Sequence, residues 1–370
     1  MPTSPKNFAM DNRYSRQLQL PGFGPESQKK LQNAKVLVVG AGGLGVPVLQ
    51  YLAGMGVGML GLVDGDLISL TNLHRQVLYS TPEVGKPKVE VAAQKLAQLN
   101  PAIQLVPYQT HLTTQNALQI IKEYDLVVDA TDNFEARYLI NDACVLLGKP
   151  FVYGALHQYE GQVSVFNFAG GPTYRCLYPN PPTAVEIPDC NTAGVLGVVP
   201  GLVGCQQALE AVKVITGVGK SLSGYLLMLD FLNQSQHKIK LKAKPENQRI
   251  QRLQASYAVA SCTTVPEIAP SELMEWMNQG KKLLLLDVRE ENEYVAGHLQ
   301  KALLTPLSMF EHQVDQLPTH LPMVTICQKG GRSLKAAQMV LDKHAGAEVY
   351  SMKGGMEAWQ EQLHNHLVVS

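Results

Sequence analysis

The sequence carries no excess of either charge, no paired cysteine motif and no unbroken apolar run long enough to span a bilayer. Lys+Arg and Asp+Glu both number 31, so no global field draws the chain to nucleic acid or to an anionic membrane. The six cysteines, Cys144, Cys176, Cys190, Cys205, Cys262 and Cys327, are scattered without a C-x-x-C. They form neither a disulfide framework nor a self-evident zinc site, and they suit a reducing, cytoplasmic compartment. Residues 1–15 are polar and lack the apolar core of a signal peptide. Leu44–Val63 comes nearest to a membrane span, but Pro47 and glycines 45, 54, 56, 58 and 61 divide it into helix, turn and strand.

What is present is 370 residues, 45% hydrophobic and 17% charged, the profile of a well-buried two-domain protein. Lys35–Gln76 organises the first domain. An apolar strand at Val36–Val39 enters the turn Gly40-Ala41-Gly42-Gly43-Leu44-Gly45. A short helix and a second strand, Leu60–Val63, then end at Asp64-Gly65-Asp66. Strand, glycine turn, helix, strand and acid is the form of a nucleotide-binding βαβ unit. Glycines admit backbone N–H groups close to a phosphate, and an acid about 20 residues past the turn is placed to read ribose hydroxyls. The turn alone does not separate NAD, FAD and ATP users.

Strands and amphipathic helices alternate onward: helix Lys88–Leu99, strand Ile103–Pro107, helix Gln115–Lys122, strand Asp125–Asp129, helix Phe134–Leu147 and a strand from Phe151. This predicts an α/β fold with a doubly wound, mostly parallel sheet. Gln162–Phe168 and Tyr225–Phe231 read as antiparallel strands, and Ala193–Thr216 as a long buried helix broken near Pro200-Gly201. The domains expected are 1–243, a linker over 244–266 where Lys, Pro, Glu, Asn, Gln and Arg cluster without periodicity, and a small α/β domain over 267–370. In the latter, Ser271–Asn278 reads as a helix capped by Ser271, and Lys282–Asp287 and Met323–Ile326 as strands. The loop Cys327-Gln328-Lys329-Gly330-Gly331-Arg332 then leads into a helix Ser333–Lys343. A cysteine between a strand and a Gly-containing helix start lies in a nest of backbone N–H groups. Nest, helix dipole and Arg332 all favour a thiolate that can carry a persulfide. The C-x4-R spacing is one residue shorter than the loop that cradles a tetrahedral phosphate.

Residues 267–370 resemble a rhodanese (sulfurtransferase) domain in Leu286-Asp287-Val288-Arg289-Glu290, Glu293-Tyr294, Gly297-His298-Leu299, the loop 327–332 and Lys353-Gly354-Gly355-Met356-Glu357-Ala358-Trp359. Residues 11–241 resemble the MoeB/ThiF family, relatives of ubiquitin-activating enzymes. The match lies in Arg13–Gln17, Gly40–Gly45, Asp64-Gly65-Asp66, Leu70–Gln76, Val84–Lys88, Asp129–Asn133, Gly161–Val163 and Gly194–Gly197. The order is that of fused MoeB–rhodanese proteins.

The resemblance implies ATP-dependent adenylation of the C-terminal glycine of a ubiquitin-like sulfur-carrier protein ending in Gly-Gly. Sulfur then passes from a Cys327 persulfide to leave a thiocarboxylate. It implies ATP and Mg²⁺, with Gly43, Asp64, Thr71, Asn72, Leu73, His74, Arg75, Lys88, Asp132 and Asn133 at the nucleotide and Asp132 on the magnesium side. It implies a homodimer in which Arg16 reaches the neighbouring site, a donor such as a cysteine desulfurase or thiosulfate, and Cys190 as a second sulfur-transfer residue. Molybdopterin synthesis is the first pathway expected, with thiamine, tRNA thiolation or cysteine synthesis as alternatives. Many family members hold zinc through two C-x-x-C pairs; here Thr173–Cys176 and Asn247–Ile250 stand in those places, and no zinc is expected. Each assignment has a bland rival. Asp64 is also a strand end, Arg75 and Lys88 also surface charges, Asp132 also a helix N-cap, and Cys190 also a tolerated loop cysteine. An NAD-dependent oxidoreductase or a non-catalytic scaffold would account for the glycine turn alone.

Overall fold

The computed structural model describes residues 13–182, 194–257, 265–344 and 346–363. The chain divides into two compact units, up to Val259 and from Ala260. Cys190 and Cys262 lie outside the described residues.

The first unit holds eight strands: β1 Lys35–Val39, β2 Met59–Val63, β3 Gln104–Tyr108, β4 Leu126–Asp129, β5 Phe151–His157, β6 Glu160–Phe166, β7 Tyr225–Asp230 and β8 Ser235–Lys240. They are ordered β3-β2-β1-β4-β5-β6-β7-β8. β1 to β5 run parallel and β6 to β8 continue antiparallel. Both faces of the central strands are covered, which is why they read as continuous apolar runs. Val36 and Val38 of β1 join one core, while Leu37 and Val39 join the other. The chain winds outward from β1 in both directions, so the crevice at the carboxyl ends of β1 and β4 is the topological switch point where such sheets bind ligands.

The helix expected to break at Pro200 does not. It runs unbroken over Val198–Thr216, because Pro200 sits in the first turn, where a backbone N–H has no intrahelical partner to lose. It is long and apolar enough to cross a membrane by length and composition, but it packs on β5, β6 and the helix Gly45–Met55. The helix Phe134–Leu146 is capped by Asn133, whose Oδ1 accepts from the Ala136 N–H at 2.9 Å, and not by Asp132.

The segment after β8 is tied to the first unit as far as Tyr257. The Tyr257 hydroxyl donates to Asp142 Oδ2 at 2.8 Å, and Arg175 pairs with both oxygens of the same buried carboxylate at 2.7 and 2.8 Å. The composition that suggests a linker here hides this tertiary anchor.

The second unit is a parallel sheet of five strands: β9 Glu267–Ile268, β10 Leu284–Asp287, β11 Leu303–Leu304, β12 Met323–Ile326 and β13 Val349–Met352, ordered β11-β10-β12-β13-β9. Its first helix spans Pro270–Asn278 with Ala269 as N-cap. Pro270 takes the first helical position, where its ring fits best, so Ser271 lies inside the helix and does not cap it. The helix after β12 starts at Gly331, two residues before Ser333.

Candidate active sites

At the switch point the chain opens into a cleft of about 1450 Å³. Its floor begins with the glycine turn. A side chain at Gly45 would collide with the Gly40 carbonyl, and one at Gly40, where φ is +101°, would meet the Ala130 carbonyl of the neighbouring strand end. Only glycine closes this turn. Asp64 fixes it from the side: Oδ2 accepts from the Ala41 N–H and Oδ1 from the Asp66 N–H, both at 2.8 Å. Lys88 is buried, with Nζ 2.7 Å from Asp66 Oδ2 and 3.8 Å from Asp64 Oδ2. It is therefore not a solvated surface lysine, whereas Lys86 is exposed.

Gly43, Asp64, Asn72, Arg75, Lys88, Asp132 and Asn133 all line the cleft. Arg75 is steadied by a 3.1 Å bond from Nη1 to the Thr71 carbonyl. Thr71, Leu73 and His74 are not cleft-lining. The turn Leu70–Asn72 bonds the Thr71 hydroxyl to Ser69, Leu73 packs on the apolar core, and His74 Nδ1 bonds back to the Thr71 carbonyl at 3.0 Å. Arg16 is exposed in the short helix Ser15–Leu18 and does not line the cleft of its own chain.

The same cleft is lined by Arg137, Tyr153, His157, Gln162 and Tyr178, and by Ala255, Ser256 and Tyr257. Sequence reasoning missed these residues. Arg137 is buried four residues after the N-cap, its guanidinium 5.4 Å from the Phe134 ring centre and 5.7 Å from that of Tyr153. Nη2 donates to the Thr131 carbonyl at 3.2 Å, while the buried Nε has no partner among the described residues. Beneath it Asp129 is fully buried. Its Oδ1 accepts from the Thr131 N–H and hydroxyl, and Oδ2 accepts nothing among the described residues. Burial pushes the Asp129 carboxyl up, against the pull of Arg137. The one available signal was an arginine on a helix flanked by Tyr138, Leu139 and Ile140.

Cys176 sits where a zinc knuckle would close. Among the described residues its sulfur is met by the Thr173 and Lys244 N–H groups at 3.4 and 3.3 Å and by Asn247 at 3.8 Å, and by no second thiol. Burial raises this thiol, but those hydrogen bonds outweigh it and lower the group overall. Cys144 is a core residue whose thiol is pushed up by burial. Cys205 is half-buried on the helix Val198–Thr216.

In the second unit Cys327 ends β12 and is buried, its sulfur accepting from the Gly330 N–H at 3.1 Å and lying 3.4 Å from the Ser333 hydroxyl. The loop is held from behind by the helix Gly355–Leu363: the Met356 and Glu357 N–H groups bond the carbonyls of Cys327 and Gln328 at 2.8 and 3.1 Å. With its carbonyls bound there, the loop turns the Gly330 N–H to the sulfur, one backbone donor among the described residues where the glycines had suggested a nest of several. Arg332 does not serve the sulfur alone, because both its terminal nitrogens bond Glu293 at 2.6 Å. Asp287 and Arg289 form a buried pair beneath the loop at 2.7 Å, and Arg289 also reaches the Gly297 carbonyl.

Comparison with known proteins matches the ThiF family model over residues 14–250 and the rhodanese-like domain over 269–362. The chain is 41% identical over 382 residues to the maize adenylyltransferase and sulfurtransferase MOCS3-2, covering 95% of this chain and 79% of that protein. It is 39% identical to the probable adenylyltransferase/sulfurtransferase MoeZ of Mycobacterium tuberculosis, covering 96% and 94%. The sulfur carrier protein adenylyltransferase of Thermus thermophilus is 53% identical, covering 63% of this chain and 88% of that one. Among solved structures, E. coli MccB with ATP superposes with a TM-score of 0.56 at 26% identity, covering 63% of this chain and 73% of MccB. The chain belongs to the ThiF family and carries a rhodanese-like domain after its adenylating fold.

Proposed function

We propose that the first unit adenylates the C-terminal glycine of a small ubiquitin-like sulfur-carrier protein ending in Gly-Gly, and that Cys327 then supplies the sulfur. The observation that carries this reading is the set of cations, Arg75 and Lys88, gathered with Asn72 and Asp132 around the glycine turn. Negative charge grows on phosphate oxygens as a carboxylate displaces pyrophosphate from the α-phosphorus, and fixed cations stabilise it. A hydride-transfer enzyme would have no task for them. The relatives' names point the same way.

In this mechanism the carrier carboxylate oxygen bonds the α-phosphorus and pyrophosphate leaves. The terminal sulfur of the Cys327 persulfide attacks the acyl carbon and AMP leaves, giving an acyl disulfide. Cys190 attacks the Cys327 sulfur, which releases the thiocarboxylate and leaves a Cys190–Cys327 disulfide for an external thiol to reduce.

Magnesium fits the residues present. Asp132 is a cleft carboxylate with no paired cation among the described residues, and Mg²⁺ at such sites takes one or two carboxylates plus substrate phosphates. Asp132 would hold the ion, which would supply charge neutralisation to the phosphates.

A homodimer in which Arg16 serves the neighbouring cleft is supported by exposed Val198, Leu202 and Leu209, which with half-buried Cys205 make one stripe along the helix Val198–Thr216, and by exposed Tyr51 on the adjacent helix. The described cysteines are all unpaired, in keeping with a cytoplasmic protein. We assign the sulfur to molybdopterin synthesis on the relatives' names, with a cysteine desulfurase or thiosulfate as donor.

The test is ATP–pyrophosphate exchange with Mg²⁺, with and without a ubiquitin-fold protein ending in Gly-Gly. Exchange should depend on that protein, be lost in Arg75→Ala and be kept in Cys327→Ala. No exchange with any such carrier would leave only sulfurtransferase chemistry and refute the reading.

A further inference from the structure

We infer that Ser333 is a catalytic hydroxyl for sulfur transfer at Cys327, donating to its sulfur whenever that sulfur carries charge, and that Ser351 is its positioning residue. The inference rests on the proposed role of Cys327 above and adds the group that follows the sulfur's charge. Ser333, Ser351 and Thr325 are all fully buried. Thr325 of β12 and Ser351 of β13 are register partners, and both reach Ser333 on the helix Gly331–Lys343. Ser351 Oγ donates to Ser333 Oγ, and Thr325 Oγ1 to the Ser333 carbonyl, each at 2.8 Å. Ser333 Oγ in turn donates to the Gly330 carbonyl at 2.8 Å and lies 3.4 Å from Cys327 Sγ.

A serine in the first turn of a helix commonly bonds back to a carbonyl one turn earlier, which is the bland account of Ser333. That account gives no task to Ser351. A buried hydroxyl is unfavourable unless it is hydrogen-bonded, and here one buried hydroxyl holds another beside a sulfur. The cations around the loop are already paired: Arg332 with Glu293, Arg289 with Asp287, and Lys329 at 3.6 Å from Glu357. The Gly330 N–H and the Ser333 hydroxyl are the neutral groups that meet the sulfur directly.

A hydroxyl has a single proton and a pair of acceptor positions. Ser351 fills one of those positions on Ser333. While Cys327 is a thiol its S–H fills the other, and the Ser333 proton rests on the Gly330 carbonyl. Once the thiol proton has gone to buffer, the Ser333 hydroxyl turns about its Cβ–Oγ bond and donates to the thiolate. The Gly330 carbonyl is not stranded, because the Leu334 N–H also bonds it at 3.1 Å. In uptake from thiosulfate, Sγ bonds the outer sulfur, the S–S bond of thiosulfate breaks and sulfite leaves with its electron pair. When an acceptor such as cyanide takes that sulfur, the electron pair of the persulfide bond returns to Sγ, where the hydroxyl meets the charge. The Ser333 proton turns but never transfers.

The experiment uses the full chain as wild type, Ser333→Ala, Ser333→Thr and Ser351→Ala. Alkylation of Cys327 by iodoacetamide is followed against pH by mass spectrometry of its peptide, beside thiosulfate-to-cyanide sulfur transfer. Ser333→Ala should move the alkylation profile up by about one pH unit and slow sulfur transfer at neutral pH at least about tenfold, the scale of a hydrogen bond to a charged group. Ser351→Ala should move the profile the same way by less, since Ser333 keeps its hydroxyl but loses the bond that polarises and aims it. Ser333→Thr restores a hydroxyl and should return most of both. A hydroxyl that only ties down the helix start would change the melting temperature and leave the profile in place. An unmoved profile in Ser333→Ala would therefore overturn the inference, whatever the variant's stability. Failure of wild type to load sulfur on Cys327 from thiosulfate, or from a cysteine desulfurase with cysteine, would instead refute the sulfur-carrying role of Cys327, and the inference with it.

Discussion

Gly355→Ala should disable sulfur transfer while leaving adenylation intact. Gly355 has φ of +63°, and an added Cβ would collide with the Cys327 carbonyl and lie 2.6 Å from the Gln328 carbonyl carbon. Those are the carbonyls that Met356 and Glu357 bind, so the methyl group pushes on the hydrogen bonds that aim the loop. The left-handed backbone alone costs about 1–2 kcal/mol for alanine. Weakening two hydrogen bonds adds about 0.5–1.5 kcal/mol each. The sum is about 2–5 kcal/mol against the second unit. A shift of about 1 Å in a reacting group costs about 100-fold in rate. Thiosulfate-to-cyanide sulfur transfer should therefore fall by at least tenfold, and the thermal transition of the second unit should drop. Carrier-dependent pyrophosphate exchange should not change. Wild-type sulfur transfer and an unmoved transition in Gly355→Ala would refute the claim that this helix start shapes the persulfide loop.

Asp142→Ala strands buried Arg175 and the Tyr257 hydroxyl together; losing one side of a buried pair costs about 3–5 kcal/mol, a drop of roughly 6–20 °C in the melting of the first unit by calorimetry. Arg332 beside Glu293 holds that carboxyl below its usual range. A carboxylate with a depressed pKa stabilises the fold above the ordinary carboxylate range and loses that contribution as pH falls through the lowered value. Urea denaturation should accordingly show wild type above Glu293→Gln at pH 6, with the gap closing as pH drops from about 4.5 downward. Purified protein should contain no stoichiometric zinc by metal analysis, and a chelator should leave its melting temperature unchanged; one zinc per chain would show that Cys176 finds thiol partners after all.

How much was legible varied with the range of the interaction. The parallel strands were readable because burial on both faces leaves runs such as Leu126–Val128 without polar interruption. The glycine turn, Asp64 and the Cys327 loop were readable because each is a local arrangement of a few consecutive residues. Caps and breaks were misjudged where an offset of one or two residues decides the outcome: Ala269 for Ser271, Asn133 for Asp132, and Pro200 inside a first turn that tolerates it.

By itself the sequence determined the two α/β folds, the nucleotide turn and the sulfur loop, since periodicity and short motifs carry the physics of neighbours along the chain. Tertiary structure alone decided that Lys88 is buried between two aspartates and that Arg332 is committed to Glu293. It also joined Tyr257 to a carboxylate 115 residues away and buried the Arg137 guanidinium near the rings of Phe134 and Tyr153. Those facts depend on which charges meet across elements and on how deeply each is removed from water, and neither quantity is written in the spacing of residues along one strand or helix.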